Sequence, residues 1–183
     1  MVVTGNLLTT GRPGSGKTTL IHRPALRLID CSPVGFYTIE VREEGVRVGF
    51  RSREPRRETA ALRPHRVPGS LPCGRYGVDI EGFEDFLSSI PFFTPDTRLA
   101  FIDEIGKMEC YSGVFRGIVR EALDAFVPCV ATIAQRGIPG LDRIGDRADV
   151  RVVEVTPSNR DGLLPGLKAE ARRLVGDAGQ GWK

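Results

Sequence analysis

Apolar residues along the chain gather in short runs divided by turn formers, and the spacing within each run predicts its element. Asn6 to Thr10 is an apolar, Thr-rich run that stops at Gly11, as a buried strand ending in a glycine-rich turn does. A helix is expected from Lys17, with Leu20, Ile21, Leu28 and Ile29 on its apolar face. Pro24 removes the hydrogen bond to the carbonyl of Leu20 and should kink that helix. Gly35 to Arg42 and Val46 to Arg51 alternate apolar and polar around Glu43-Glu44-Gly45, which predicts an antiparallel hairpin. From Ser52 to Gly74 the periodicity disappears. Pro55, Pro64, Pro68 and Pro72, with the Arg-rich stretch from Arg51 to Arg66, indicate a long surface loop.

Tyr76 to Ile80 reads as a short strand, and Glu81 to Ser89 as a helix with Phe83, Phe86 and Leu87 on one face. Leu99-Ala100-Phe101-Ile102 is wholly apolar without alternation, the pattern of a parallel strand covered on both faces, and it ends at Asp103-Glu104. A helix over Phe115 to Phe126 should bury Val119, Leu123 and Phe126. A second buried strand is expected over Val127 to Ile133, a short helix over Leu141 to Arg147 and a last strand over Val150 to Val155. Leu163, Leu164, Leu167, Ala171, Leu174 and Val175 mark a closing helix ended by Gly176. Strands alternating with helices predict a three-layer α/β domain over residues 1–176, with a mostly parallel sheet extended by the hairpin and a frayed tail over 177–183.

Composition narrows the class without choosing the function. The length of 183 residues, with 40% hydrophobic and 27% charged, suits one compact domain rather than two. No stretch approaches the ~18 to 20 apolar residues of a membrane-spanning helix, and the first residues lack a secretory pattern, so a cytoplasmic protein is expected. A net charge of +3 permits phosphate-bearing partners without requiring them. Cys31, Cys73, Cys110 and Cys129 form no C-x-x-C pair, and His22 and His65 add no zinc-ligand spacing, so reduced thiols are expected rather than a metal centre.

The chemistry enters with Gly11-Arg12-Pro13-Gly14-Ser15-Gly16-Lys17-Thr18, which satisfies G-x-x-x-x-G-K-[ST] between a predicted strand and a predicted helix. Glycines let successive N–H groups curl inward around phosphate oxygens, and the helix N-terminus adds its positive end. Lys17 then reaches the β- and γ-phosphates, and the Thr18 hydroxyl is a ligand for Mg²⁺. Asp103 and Glu104 follow a buried strand, at the edge where open α/β sheets bind ligands. There Asp103 would hold Mg²⁺ through its waters, and Glu104 would accept a hydrogen bond from the water attacking the γ-phosphate. Gln135 and Arg136 come just after another strand and read equally as γ-phosphate sensors or as a solvated loop. Arg143, Arg147 and Arg160 are alternative transition-state arginines, none preferred. The Arg-rich loop lacks interleaved aromatics, so a solvated surface is favoured over a nucleic-acid track.

Taken together, Gly11 to Leu20, Gly35-Phe36-Tyr37-Thr38 to Val41-Arg42, Arg47-Val48-Gly49-Phe50, Ile102-Asp103-Glu104-Ile105-Gly106-Lys107-Met108-Glu109 and Val155-Thr156 with Asn159-Arg160-Asp161 form a set. It resembles the small P-loop nucleoside-triphosphatase family of thermophiles and of the human cancer-related nucleoside-triphosphatase. The resemblance implies a RecA-like P-loop domain and Mg²⁺-dependent hydrolysis of several nucleoside triphosphates (ATP, GTP, CTP, UTP) to diphosphate and phosphate. It also implies nucleotide contacts from Gly11 to Thr18, Thr19, Asn159 and Arg160, with Lys17 and Glu104 as catalytic groups and Thr18 and Asp103 at the metal. Ile39, Pro24 and the segment from Ser52 to Gly74 depart from the family pattern. Two other readings use the same loop: a kinase passing the γ-phosphate to a nucleoside, nucleotide or polynucleotide acceptor, and a nucleotide-switched RNA- or protein-binding module.

Overall fold

The apolar runs read from the sequence become neighbouring strands at the centre of one twisted sheet. The computed structural model describes residues 5–20, 33–44, 46–54, 60–61, 71–73, 76–135, 138, 140–141 and 143–178. β1 (Asn6–Thr10) lies between β8 (Cys129–Ile133) and β9 (Val150–Glu154), parallel to both. β7 (Leu99–Ile105) runs parallel to β8 on one side and to β2 (Pro33–Glu43) on the other. β3 (Val46–Arg53) turns back antiparallel on β2, and β4 (Ala60–Ala61) adds to its outer edge. The sheet order is therefore β4-β3-β2-β7-β8-β1-β9, a mostly parallel sheet with a hairpin extension, as expected.

Side-chain alternation along the central strands divides the core in two. In β7, Ala100 and Ile102 face one way, towards Phe83, Phe86 and Leu87 of α2 (Ile80–Ser88) and Phe115, Val119 and Leu123 of α3 (Gly113–Asp124). Leu99 and Phe101 face the other way, towards Leu20 of the helix α1, described over 17–20, and Leu167, Ala171 and Leu174 of α4 (Arg160–Ala178). Every residue from Leu99 to Ile102 is thus covered on its own side, which is why that run shows no polar alternation. Phe36 on β2 meets Phe83, Phe86 and Phe115 at centroid separations of 5.8, 5.9 and 5.9 Å, edge to face, fixing the helices on the first face. Beside it Gly35 lies opposite Phe101 with its backbone pressed against that residue's carbonyl.

Several expected boundaries move, each for a local reason. β7 passes through Asp103 and Glu104 to the buried Ile105, so the acidic pair lies inside the end of the strand instead of following it. α3 begins at Gly113 because the Ser112 hydroxyl accepts from the Phe115 N–H at 3.0 Å, and it stops when Ala125 turns extended. Phe126, expected on the buried face, consequently leaves the helix and stands 93% exposed. The helix expected over Leu141 to Arg147 is a single 3-10 turn, Ile144–Asp146. Asp79 caps α2 through the Gly82 N–H at 2.9 Å, which cuts the preceding strand β6 to Tyr76–Val78. α4 passes through Gly176 to Ala178.

The segment expected to be a loop from Ser52 to Gly74 contains the end of β3, β4, and a strand β5 (Leu71–Cys73) paired with β6. Pieces of two or three residues are too short to show alternation. Ile21, His22, Pro24, Leu28, Ile29, Cys31, His65, Arg136 and residues 179–183 lie outside the described residues. Cys110 and Cys129 are buried, and burial pushes the Cys129 thiol up to about 12, so it packs as an unreactive small hydrophobe. Among the described residues no helix is long and apolar enough to cross a membrane.

Candidate functional site

Where β1 and β7 end, the chain brings together groups that are 85 residues apart. The turn after β1 begins at Gly11, whose φ of +152° and close approach to β9 exclude a side chain: a Cβ there would lie 2.3 Å from the Val155 carbonyl oxygen. The Val155 N–H donates to the Thr10 carbonyl at 2.7 Å, so the loop is anchored at its root. Its crest, Arg12, Pro13 and Gly14, is exposed, and the Ser15 N–H closes on the Arg12 carbonyl at 3.1 Å. α1 then starts at Lys17, with the Leu20 N–H donating to the Gly16 carbonyl at 2.9 Å. Glycine at the turn and a helix immediately after it leave several backbone N–H groups without helical acceptors, the arrangement that binds anions.

Lys17 is buried along its stem, and its Nζ donates to the Gly11 carbonyl at 2.9 Å and more weakly to the Arg12 carbonyl at 3.4 Å. The same ammonium stands 4.0 Å from Glu104 Oε2. Thr18 Oγ1 donates to Asp103 Oδ1 at 3.2 Å, and the Thr132 hydroxyl on β8 donates to the same oxygen. Thr38 on β2 donates to the Asp103 carbonyl at 2.8 Å, fixing the strand end. Asp103 Oδ2 is buried with no partner. Burial pushes the Asp103 carboxyl up to about 6, helped by the nearby Glu104 charge and opposed by the hydrogen bonds from Thr132 and Thr18 and by Lys17. An unpartnered carboxylate oxygen next to a hydroxyl is a hard-oxygen donor pair, which suits a small divalent cation completed by water and phosphate oxygens.

Glu109 adds a third carboxyl. A Cβ on Gly106 would meet Glu109 Oε2 at 2.6 Å and Glu104 Oε1 at 3.0 Å, so both side chains close on that glycine. Burial pushes the Glu109 carboxyl up to about 8, with repulsion from Glu104 and Asp103, against hydrogen bonds to the backbone of Glu109 and Gly106. Unfolding returns it to about 4.5, so the stability this group permits is complete below 4.5 and is lost as pH rises through about 8. Glu109→Gln should therefore melt higher than the wild type at pH 8, with the gap closing by pH 5. A gap independent of pH in thermal melts would contradict this.

The remaining sequence candidates separate by position. Arg160 opens α4 beside the phosphate loop: a Cβ on Gly16 would meet its Cδ at 3.2 Å, and its Nε lies 3.5 Å from Asp161. Asn159 is committed to its own turn, where Oδ1 accepts from the Thr156 N–H at 2.8 Å and Nδ2 donates to the Glu154 carbonyl at 3.0 Å. Thr19 is exposed on α1. Gln135 donates to Glu154 Oε1 at 3.1 Å on the surface of the same edge. Arg147 sits at the opposite end of the sheet, bound at 2.7 Å to both Asp124 and Asp149, which hold its guanidinium charged. Arg143 is paired with Asp146 at 3.5 Å and 90% exposed.

Reading the sequence assigned no role to Thr132, Thr38 or Glu109. Thr132 left one trace, a hydroxyl inside the otherwise apolar run Cys129-Val130-Ala131-Thr132-Ile133. Glu109 stood in the quoted acidic segment, but its burial against Gly106 depends on the 3-10 turn Glu109–Tyr111.

Comparison with known proteins gives a consistent set of matches. Residues 6–167 match a family profile described as NTPase. The chain is 38% identical over 159 residues to nucleoside-triphosphatase THEP1 of Thermotoga petrophila, covering 86% of this chain and 88% of that protein. It is 36% identical over 186 aligned positions to the cancer-related nucleoside-triphosphatase of Homo sapiens, covering 88% and 94%. The crystal structure of THEP1 from Aquifex aeolicus superposes with a TM-score of 0.75 at 32% identity, over 91% of this chain and 98% of that one.

Proposed function

The chain belongs to the NTPase family, and from that membership we propose that it is a Mg²⁺-dependent nucleoside-triphosphate phosphohydrolase, releasing the γ-phosphate of ATP, GTP, CTP and UTP. The observation that carries the reading is the joining of the phosphate loop to the acidic strand end, by Thr18 on Asp103 at 3.2 Å and Lys17 beside Glu104 at 4.0 Å. In this reading the N–H groups of Gly14, Gly16 and Lys17 hold the β- and γ-phosphates, and Lys17 Nζ turns from the Gly11 carbonyl to the phosphate oxygens. Thr18 and Asp103 are the residues that would hold Mg²⁺, and the unpartnered Asp103 Oδ2 supports that fit. The cation, when bound, offsets charge on the β- and γ-oxygens as the terminal bond breaks.

Glu104 accepts a hydrogen bond from the attacking water and orients it in line with the bridging oxygen that leaves with the diphosphate. Its side chain is 36% exposed at the mouth of the site, so solvent reaches it directly. Arg160 flanks the loop from the β9 side and is proposed to contact the nucleotide there, while Asn159 acts by holding the turn that presents it. Phosphate release from each of the four triphosphates, with no acceptor added, tests the proposal: release should occur with all four and stop when EDTA removes the cation. Nucleotide binding without release, until an acceptor or a macromolecular partner is supplied, would favour the kinase or switch readings instead.

A further inference from the structure

Among the described residues, five buried side-chain atoms lack a hydrogen-bond partner: Thr9 Oγ1, Ser15 Oγ, Ser52 Oγ, Arg53 Nε and Asp103 Oδ2. Two belong to the loop and acidic strand end already described, and strand register ties Thr9 and Arg53 to them. Thr9 is level with Thr132, whose hydroxyl bonds Asp103; Asp103 is level with Tyr37, and Tyr37 with Arg53. These residues form one row across five neighbouring strands, at the height of the Asp103 carboxylate.

Residues paired laterally in a sheet project from the same face. Asp103 projects on the face of α1, since Thr18 bonds it, and Tyr37 packs into the core on that face. Arg53 therefore projects on the phosphate-loop face, two strand spacings, roughly 10 Å, from Asp103. A long side chain covers much of that distance. Arginine keeps its charge under all conditions in a protein, and its planar fork matches phosphate oxygens. A buried guanidinium nitrogen without a partner is what an anion site looks like before its anion is counted.

The two ends of the site are also distinct. Arg160 borders the loop from the β9 side, whereas Asp103 and Glu104 lie on the β7 side with Arg53 beyond them. A triphosphate whose terminal group points at the acidic pair brings its most charged oxygens towards three carboxyls, Asp103, Glu104 and Glu109, and requires further positive charge there. Resting on the nucleotide-site reading above, we infer that Arg53 binds the terminal phosphate and lets the site distinguish triphosphate from diphosphate.

Titration calorimetry with Mg²⁺ and either ADP or the β,γ-imido analogue of ATP tests this in the full chain. Arg53→Ala should weaken the imido analogue about 10- to 100-fold and ADP by less than about twofold. Arg53→Lys, which keeps the charge and loses the fork, should fall between. Equal affinity changes for the two nucleotides, including none, would overturn the inference. Where Arg53→Ala fails to fold, Arg53→Lys and Arg53→Gln carry the same comparison, with ADP binding as the check on folding. Lys17→Ala is the companion control: if it leaves both affinities at wild-type values, the nucleotide-site reading fails by itself, whatever Arg53 does.

Discussion

Glu104→Gln should lower phosphate release ~10²- to 10⁴-fold while leaving nucleotide affinity near the wild-type value. The amide keeps the size and one acceptor oxygen of the carboxylate, so the strand end and the space above Gly106 are preserved. What it loses is the negative charge that favours a developing hydroxide over water. The substitution also removes one of the three mutually repelling carboxyls, Asp103, Glu104 and Glu109, and the Lys17 partner at 4.0 Å, so binding should hold or tighten slightly. Turnover and equilibrium binding must be measured on the same preparation. Unimpaired release would remove Glu104 from the reaction, and parallel loss of binding would make it a folding residue.

Gly35→Ala should cost about 3–5 kcal/mol, much of what a domain of this size possesses. Gly35 has φ +143°, and a Cβ there would lie 1.7 Å from the Phe101 carbonyl oxygen. No rotamer relieves a clash between two backbones. β2 would have to leave β7, taking with it Phe36, the aromatic hub of one core face, and Thr38, which holds the Asp103 carbonyl at 2.8 Å. Urea denaturation measures this directly, and a loss under about 1 kcal/mol would mean that the two strands are less tightly opposed than they are here.

How much of this was legible follows from how far apart the cooperating residues lie. The phosphate loop is contiguous from Gly11 to Thr18, so its glycines, lysine and hydroxyl announce their arrangement in the string. The central strands were equally plain, because burial on both faces removes every polar residue between Leu99 and Ile102. Asp103 could be found as the first charge after that run, yet its partners could not. Thr132 and Thr38 reach it through strand register, and Arg53 shares its row only because β3 folds back along β2 with a shift at Val41 and Arg42. Phe126 was misplaced because helical spacing continues in the sequence past the point where Ala125 turns out of the helix. Asn159 entered only through the family resemblance, and its hydrogen bonds to the Thr156 N–H and the Glu154 carbonyl close a turn that the string does not display.

The anchoring of Gly11 against Val155 has a consequence for the order in which the molecule is made. The phosphate motif leaves the ribosome well ahead of the strands that flank it: β1 finds its two neighbours, β8 and β9, only after more than a hundred further residues have followed. Until β9 arrives, nothing confines the Gly11 turn, and the loop has the composition of a phosphate binder without its shape. Such long-range closure is slow relative to local helix formation. A nascent chain that carries the whole motif is therefore blind to nucleotide until β9 has emerged, and the substrate cannot serve as an early template for folding.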